Sequence, residues 1–319
     1  MTRKVGQLFA QFVDFSNLYR AWVKARQGTG WNTETRQFCF QLERELLSLQ
    51  TELETGDYKP QDFRFFTIRD PKHRIISVAP FRDRVVHHAL VQILMPIFEP
   101  SFIYDSYATR VDKGTHKAIV RAQGFVRRYQ WYYKLDIEQF FATIQHDVMI
   151  SAISHKIKDK RLLQMIEAII RHPQLAQGLP IGNLTSQFFA NIYLNQMDHL
   201  IKEQFQVKGY LRYMDDFVLF SDDKGLLKQQ VEELEVYIEN ELKQRIKPSA
   251  RCLNRSHQGL SFLGMRIFPS LLRHCPANRQ RSLQRIKSKL EAYERGFITE
   301  QQMTDSIQCS WAHLHYFAS

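Results

Sequence analysis

The chain has 319 residues, a formal net charge of +11 and a pI near 9.5, and 44% of its residues are hydrophobic and 13% aromatic. That apolar content supports a folded core and excludes a disordered chain, while no apolar run is long enough to cross a membrane. The positive charge favours a polyanionic partner, either nucleic acid or an acidic membrane surface.

Cysteine usage and the N-terminal sequence bear on the compartment. The cysteines are scattered, and their spacing fits neither a zinc site nor a disulfide framework. The first apolar stretch is interrupted by Gln11 and Asp14 and lacks the apolar core of a signal peptide. We therefore expect a cytoplasmic protein in a reducing compartment.

Residues 1–56 predict an N-terminal helical segment. Apolar side chains at helical spacing indicate one helix within residues 5–26 and a second from Thr33 to Glu54, which Gly56 and Pro60 end. We expect both helices to be mainly structural.

A basic hairpin follows. Residues 63–69 and 74–78 are strand-like, and basic residues lie at and around the turn between them. A solvated surface hairpin is the plainer interpretation. The alternative is a phosphate clamp, because Arg and Lys form charge-assisted bonds to phosphate oxygens.

The next elements place a carboxylate at the end of a strand. A helix is predicted from Phe81 to Phe98, and another after the polar segment around Gly114. Residues 131–137 read as a strand that ends in Asp136, beside an aromatic pair, and residues 147–171 read as a helix. A buried Asp136 would need a partner or a cation.

Two adjacent carboxylates lie between two apolar strand-like runs, in the sequence Tyr213-Met214-Asp215-Asp216. The plainer interpretation is a hairpin turn, because Asp bonds to nearby backbone. A turn does not explain two neighbouring like charges, whereas a pair of hard cations such as Mg²⁺ does. Before these strands, Gly182 permits a close backbone approach to a ligand. Asn183, Thr185 or Ser186 could cap the start of the helix that follows, which runs to about Phe205.

The C-terminal fifty residues are strongly basic. An amphipathic helix from Leu227 to Leu242 and a strand pair or turn at residues 260–267 precede them. A helix then carries five basic residues and no acidic one between its first and last cation, and a last helix runs from about Thr299 through Trp311. The helical cations are Arg279, Arg281, Arg285, Lys287 and Lys289. Such a charge run is usually a helix face exposed to solvent. The excess of positive charge here instead favours binding to the phosphate backbone of a nucleic acid.

In this order the elements resemble a reverse transcriptase, over about Tyr58 to Phe268. The Tyr-Met-Asp-Asp box and the stretch from Lys134 to Phe141 carry the resemblance. It implies an α+β right-hand polymerase, with fingers and palm whose antiparallel sheet carries the carboxylates, and an RNA-directed DNA polymerase activity. The divisions would be the N-terminal segment 1–56, fingers and palm at 57–269 (fingers about 57–105 and 144–180) and a short basic helical thumb at 270–319.

The resemblance also implies roles for single residues. Asp136 and Asp215 would bind two Mg²⁺ ions, for which Mn²⁺ is a possible substitute, together with the backbone carbonyl of Ile137, and Asp216 would support the site. Phe141 matches an aromatic residue that blocks a 2′-hydroxyl and so favours deoxynucleotides. The other assignments are Arg69 and Arg74 for the incoming triphosphate, Ile181 and Gly182 beside the nucleotide, Phe262, Leu263 and Gly264 as the primer grip, and Arg245 or Lys247 as the proton donor to pyrophosphate.

One departure from most of the family is informative. Most members have Gln-Gly and then Ser-Pro where this chain has Ile181-Gly182 and then Ser186-Gln187. This version looks like that of diversity-generating retroelements, whose enzymes copy a template RNA and misincorporate opposite adenines. Residues 112–116 and Ser310-Trp311 are similar to that group too. The resemblance implies template or noncoding RNA, primer, cDNA and dNTPs as partners, with a small basic accessory protein and no membrane.

Three alternatives stay open at this point. An antiphage-defence reverse transcriptase with its own noncoding RNA shares the core, and neighbouring genes would distinguish it. A catalytically inactive nucleic-acid-binding scaffold is disfavoured because all three aspartates and the aromatic Phe141 are present. A DNA-templated repair polymerase would prefer a DNA template.

Overall fold

The N-terminal segment forms four helices rather than the two that the spacing predicts. The computed structural model describes residues 4–27, 29–30, 32–69 and 73–315, with side chains to residue 308. The helices are α1 (Phe9–Val13), α2 (Phe15–Arg26), α3 (Thr33–Phe40) and α4 (Leu42–Thr55). The Asp14 carboxylate separates the first two, because it accepts hydrogen bonds from the Ser16 and Asn17 amides and caps α2.

The central part of the chain alternates helices and strands as the sequence indicates. The helices are α5 (Phe81–Phe98), α6 (Thr115–Arg128), α7 (Phe140–Thr143), α8 (His146–Ser154), α9 (Lys160–Ile170), α10 (Leu184–His199) and α11 (Lys224–Asn240). The strands are β1 (Arg64–Ile68), β2 (Arg74–Val78), β3 (Trp131–Asp136), β4 (Gly209–Tyr213), β5 (Asp216–Ser221) and β6 (Cys252–Arg255). The predicted helix at 81–98 is confirmed at both ends.

The single helix predicted over residues 147–171 is wrong, because two helices lie there. The break between α8 and α9 holds a parallel bridge between Val5 and Ile157. Asp159 then begins α9 by accepting from the Leu162 amide, and its second oxygen accepts from the amides of Leu8 and Phe9. The break therefore fastens the N-terminal segment to the rest of the chain.

A four-stranded antiparallel sheet in the order β4-β5-β3-β6 is the centre of the fold. A hydrophobic core packs against each face of this sheet. Because side chains alternate between the faces of a strand, Leu135 lies in the first core and Tyr132 in the second. Helix α11 packs against the first face, and α6 covers part of the second. The ends of β3 and β5 that carry aspartates therefore lie between two packed layers.

The basic hairpin is confirmed as two paired strands, β1 and β2. Residues 70–72, predicted as most of its turn, lie outside the described part of the chain. The hairpin is attached to the start of α10, because the Ser77 amide donates to the Ile181 carbonyl over 2.9 Å. Gly182 adopts a φ of +115°, and a Cβ there would lie 2.8 Å from Ile76 Cγ2 and 3.2 Å from the Ser77 carbonyl oxygen. The glycine thus lets β2 approach closely.

Substituting Gly182 with alanine is expected to destabilise the fold by about 1–3 kcal/mol, because the added Cβ is strained by the positive φ and meets β2. Gly124→Ala is the matched control, since Gly124 is exposed within α6 with nothing within 4 Å of its missing Cβ. The control should stabilise by up to about 1 kcal/mol. Thermal unfolding measures both changes, and equal shifts for the two variants would contradict the close approach at Gly182.

The C-terminal part begins with a second small sheet. Strands β7 (Leu260–Phe262), β8 (Met265–Ile267) and β9 (Leu272–His274) pair in order, so this sheet extends past residue 269. Helices α12 (Pro276–Glu294) and α13 (Glu300–His315) follow and pack against each other. Helix α12 contains no buried residue. Among the described helices, none is both long and apolar enough to span a membrane.

Candidate active site

Strand register brings the predicted aspartates to one edge of the central sheet. Asp136 ends β3 and lies directly opposite Asp216, the first residue of β5. Asp215 occupies the turn between β4 and β5, where Met214 has a left-handed φ of 59°. The Ile137 amide donates to the Asp215 carbonyl over 3.2 Å, which ties the turn to the end of β3. The sequence prediction that these three residues share a site agrees with this placement.

A loop after α11 holds the same edge from the other side. The Lys247 amide donates to the Asp136 carbonyl, and the Glu138 amide donates to the Arg245 carbonyl, over 2.9 and 2.8 Å. Within the described residues, no hydrogen bond is donated to the Ile137 carbonyl. That oxygen is therefore available as a ligand, as the resemblance implies.

A buried arginine supports the carboxylate turn from behind. Arg212, on β4, is 0% exposed and forms a two-pronged ion pair with Asp198 of α10, at 2.8 and 2.5 Å. Its Nη1 atom donates to the Met214 carbonyl and to the Asn191 side chain, both over 3.1 Å. The guanidinium thus links α10 to the turn that presents Asp215.

Lys134 forms an ion pair with Asp216. Its Nζ atom lies 3.1 Å from Asp216 Oδ2 and 5.8 Å from the centre of the Phe262 ring. Burial is the main cause that raises the pKa of Asp216 to about 7; the charges of Asp136 and Asp215 contribute to the rise, and Lys134 opposes it. The ammonium therefore compensates part of the negative charge at this edge.

The donor chemistry at this edge fits a hard divalent cation. Asp216 Oδ1 is buried without a hydrogen-bond partner in the described structure, and carboxylate and carbonyl oxygens are the ligands that Mg²⁺ prefers. Across the described ranges, however, no three His, Cys, Asp or Glu side chains already converge as a metal-binding group. The assignment of Asp136, Ile137, Asp215 and Asp216 as metal ligands thus stays a prediction.

Replacing Lys134 by methionine is expected to destabilise the fold in a pH-dependent manner. Because its pKa is raised in the fold, Asp216 favours the folded state in its neutral form, and stability falls as pH rises from about 4 through 7. Without the Lys134 ammonium the pKa of Asp216 rises further. The loss in free energy of unfolding relative to wild type should therefore be roughly 1–2 kcal/mol larger at pH 8.5 than at pH 6.

Urea unfolding in EDTA at the two pH values measures this difference. Lys156→Met is the matched control, because Lys156 is also half-buried and lies over an aromatic ring, that of Phe98. If the stability loss of Lys134→Met is as independent of pH as that of Lys156→Met, the Lys134 ammonium does not act on Asp216.

The predicted nucleotide-binding residues lie on three neighbouring elements. Arg69 and Arg74 are exposed beside the tip of the β1–β2 hairpin, and the backbone of Ile181 is bonded to β2. Phe141 is half-buried in α7, next to the Phe140 ring, and its carbonyl accepts from the Leu179 amide. The bonds to Ile181 and Leu179 join the hairpin, α7 and the start of α10 into one unit near the end of β3.

The predicted primer grip is the turn between β7 and β8. Phe262 is buried, and Leu263 and Gly264 both have left-handed φ angles, of 47° and 82°. Asn278 of α12 donates to the Gly264 carbonyl over 3.3 Å, so the turn is fastened to the start of α12. The predicted cations on α12 are exposed or half-buried, and Lys287 lies 3.9 Å from Glu291.

Sequence reasoning missed two residues that shape this site, Lys134 and Arg212. Lys134 lies two residues before Asp136 and so on the same face of β3, a signal that strand periodicity offers. Arg212 is a charge in an otherwise apolar strand, which indicates a buried partner. The identity of that partner, Asp198, depends on how α10 packs and has no local signal.

Comparisons with known proteins agree with this geometry. The family model described as reverse transcriptase (RNA-dependent DNA polymerase) matches residues 67–267. The chain is 27% identical to protein YkfC of Escherichia coli over 271 residues, covering 70% of this chain and 71% of that protein. It is 24% identical to the group II intron-encoded protein LtrA of Lactococcus lactis over 241 residues, covering 69% of this chain but 40% of LtrA.

Solved structures show the same fold at low sequence identity. A telomerase from Candida tropicalis superposes with a TM-score of 0.51 and 13% identity, covering 72% of this chain and 59% of the telomerase chain. A telomerase from Candida albicans gives a TM-score of 0.50 at 10% identity, covering 70% of this chain and 46% of that one. The helices and antiparallel sheets therefore form a right-hand polymerase fold.

Proposed function

The chain belongs to the reverse transcriptase family, whose members are RNA-dependent DNA polymerases, and from that premise we propose that it copies a dedicated template RNA into cDNA, with errors, in a diversity-generating retroelement. The observation that supports the polymerase chemistry is the juxtaposition of Asp136 and Asp216 at paired strand ends, with Asp215 in the adjoining turn. The subtype rests on the residues at the start of α10.

In the proposed reaction the carboxylate edge orients the primer terminus and the triphosphate. Asp136, Asp215 and the Ile137 carbonyl would hold two Mg²⁺ ions, with Asp216 in support. Bound there, such ions stabilise the attacking and leaving oxygens of phosphoryl transfer. Arg212 keeps the turn of Asp215 in place through its bond to the Met214 carbonyl.

The surrounding residues would choose and place the nucleotide. Arg69 and Arg74 would bind its phosphates by charge-assisted hydrogen bonds. Phe141 would exclude a 2′-hydroxyl by contact with the sugar. Arg245 and Lys247 lie on the loop that pairs with the end of β3. From there the Arg245 guanidinium or the Lys247 ammonium would donate a proton to pyrophosphate.

Ile181 offers a physical reason for error-prone synthesis. A Gln side chain beside the incoming sugar can fix it by hydrogen bonds, whereas Ile181 forms none, so discrimination would rest on base pairing and shape. Losing one such contact relaxes selectivity by about 1–3 kcal/mol. In this fold the Ile181 carbonyl is already bonded to Ser77, so only the side chain is free to differ.

Substituting Ile181 with glutamine is expected to lower misincorporation opposite template adenine by about tenfold. Sequencing of cDNA made from an adenine-rich RNA template measures the error spectrum. Ile181→Leu is the matched control, since it keeps an apolar side chain and should keep the wild-type errors. An unchanged error spectrum for Ile181→Gln would contradict this explanation and remove its support for the retroelement subtype.

The proposed partners follow from the same assignment. They are the template RNA, a primer and its cDNA, dNTPs, and an accessory protein subunit that completes the nucleic-acid cleft, in the cytoplasm. The absence of any buried residue in α12 supports a further partner at the thumb. Processive synthesis by the isolated chain on a generic template would count against the accessory subunit.

A further inference from the structure

The outer face of α6 and the loop before it form a cationic surface. Its residues are Tyr104, Lys113, Lys117, Arg121, Arg127 and Arg128. The opposite side of α6, with Ala118, Ile119 and Ala122, is buried against the central and small sheets. The cationic surface therefore faces away from the sheet, and α6 contains no Asp or Glu.

Four of the cations are held by neutral groups. Lys113 Nζ donates to the Tyr104 carbonyl over 2.8 Å, and Lys117 Nζ donates to the Asp112 carbonyl over 2.6 Å. Arg127 donates to the Pro269 carbonyl, and the Arg128 guanidinium lies 5.4 Å from the centre of the neighbouring Tyr129 ring. No ion pair to a carboxylate joins these four within the described residues, so the surface keeps an excess of positive charge; of the four, Lys113 is near enough to Asp105 and Glu99 for their carboxylates to favour its charged form.

Arg121 differs from the other four and has a structural role. Its guanidinium grips the buried Asp105 with two bonds, at 2.8 and 3.2 Å. Lys202 lies 3.6 Å from the same carboxylate, so two cations share one buried negative charge. Asp105 therefore offsets the charge of Arg121, and the positive charge of the surface rests on the other four cations.

Two further features of the surface suit a strand of nucleic acid. The Tyr104 side chain is 71% exposed, with Lys113 Nζ 3.4 Å from its ring centre. Gly124 lies mid-helix on the outer face with open space around it, although Gly costs about 1 kcal/mol there relative to Ala. Nothing in the fold requires that glycine, and the lack of a side chain permits close approach of a phosphate backbone.

We propose that this surface binds the phosphate backbone of the RNA partner, at a segment outside the part being copied; this inference rests on the proposed function. From Lys117 to Arg128 the helix rises about 16 Å, enough to follow several consecutive phosphates. Arg and Lys bind phosphate oxygens by charge-assisted hydrogen bonds, and the exposed Tyr104 ring offers a face to an unpaired base.

The test removes three charges without disturbing the buried pair. The variant Lys117→Gln, Arg127→Gln, Arg128→Gln keeps Arg121 and Asp105. The matched control, Arg36→Gln, Arg44→Gln, Lys228→Gln, removes the same charge from exposed positions on other helices. The probe is a fluorescein-labelled, blunt-ended RNA hairpin, whose binding is followed by anisotropy over a KCl series.

The surface variant should bind the hairpin more weakly, with a slope of log affinity against log salt that is shallower by about 2–3, since each phosphate contact contributes about 0.9. The control should change the slope by less than about 1. A surface variant with the wild-type slope would overturn the proposal, and the surface would then be expected to bind an acidic partner other than RNA.

Extension of a short RNA–DNA primer–template separates this inference from the proposed function. The surface variant should extend it at the wild-type rate, because its substitutions lie on the outer face of α6, opposite the side that packs against the sheets. Loss of extension in proportion to hairpin binding would overturn the proposal, since the surface would then belong to the cleft. If the wild type extends nothing, the proposed function fails while hairpin binding still reports on the surface.

Discussion

Asp215→Ala is expected to lower the rate of primer extension by at least about 10³-fold, a loss typical of removing a group that acts directly on the reacting atoms. The carboxylate lies in the turn beside Asp136 and Asp216, where three negative charges share one edge of the sheet. Its removal relieves repulsion between like charges, so the variant should stay folded. Primer extension under single-turnover conditions and thermal unfolding measure the two effects.

Glu138→Ala is the matched control for charge. Glu138 is exposed and lies two residues after Asp136, so its removal takes the same charge from the same neighbourhood. Its extension rate should stay within a few-fold of wild type. Equal extension by Asp215→Ala and wild type would overturn the catalytic assignment.

Arg212→Met is expected to destabilise the fold by about 3–5 kcal/mol, because it leaves Asp198 buried without its counter-charge. The Arg212 and Asp198 side chains are both 0% exposed. The Tyr210 hydroxyl donates over 2.6 Å to Asp198 Oδ1, the oxygen that also accepts from Arg212 Nε. Urea or thermal unfolding measures the loss. This is the largest effect on stability that we expect from a single substitution at the site.

The double variant Arg212→Met, Asp198→Asn separates charge from positioning. The introduced asparagine keeps an acceptor for the Tyr210 hydroxyl and removes the uncompensated charge, so more than half of the lost stability should return. Primer extension should be slow in both variants, because in each the Met214 carbonyl lacks the donor that Arg212 Nη1 provides. If the double variant regains both stability and rate, Arg212 does not position the turn.

The sequence predicts those parts of the fold whose signals are local. The helix at 81–98 and the strands around Asp136 and Asp215 are marked by apolar periodicity and by β-branched and aromatic runs. Helix ends were harder to place, because single caps such as Asp14 and Asp159 divide long apolar patterns. Phe40 lies within the helix that the spacing predicts from Thr33 to Glu54, yet it is 89% exposed, since α3 ends there.

The contacts that shape the site were less accessible to sequence reasoning. That Lys134 pairs with Asp216 depends on the register of β3 and β5, which no local pattern fixes. The partner of Arg212 lies on α10, and the contact of Gly182 is with β2. Each joins segments that are distant along the chain or belong to different layers, so packing decides them.

We propose that the carboxylate edge formed by Asp136, Asp215 and Asp216 performs RNA-templated DNA synthesis. The most direct test is extension of one labelled primer on matched RNA and DNA templates, with dNTPs and Mg²⁺, by wild type and Asp215→Ala. We expect wild type to extend on the RNA template and Asp215→Ala to leave the primer unextended. Extension by wild type on the DNA template alone, or equal extension by both proteins, would contradict the claim.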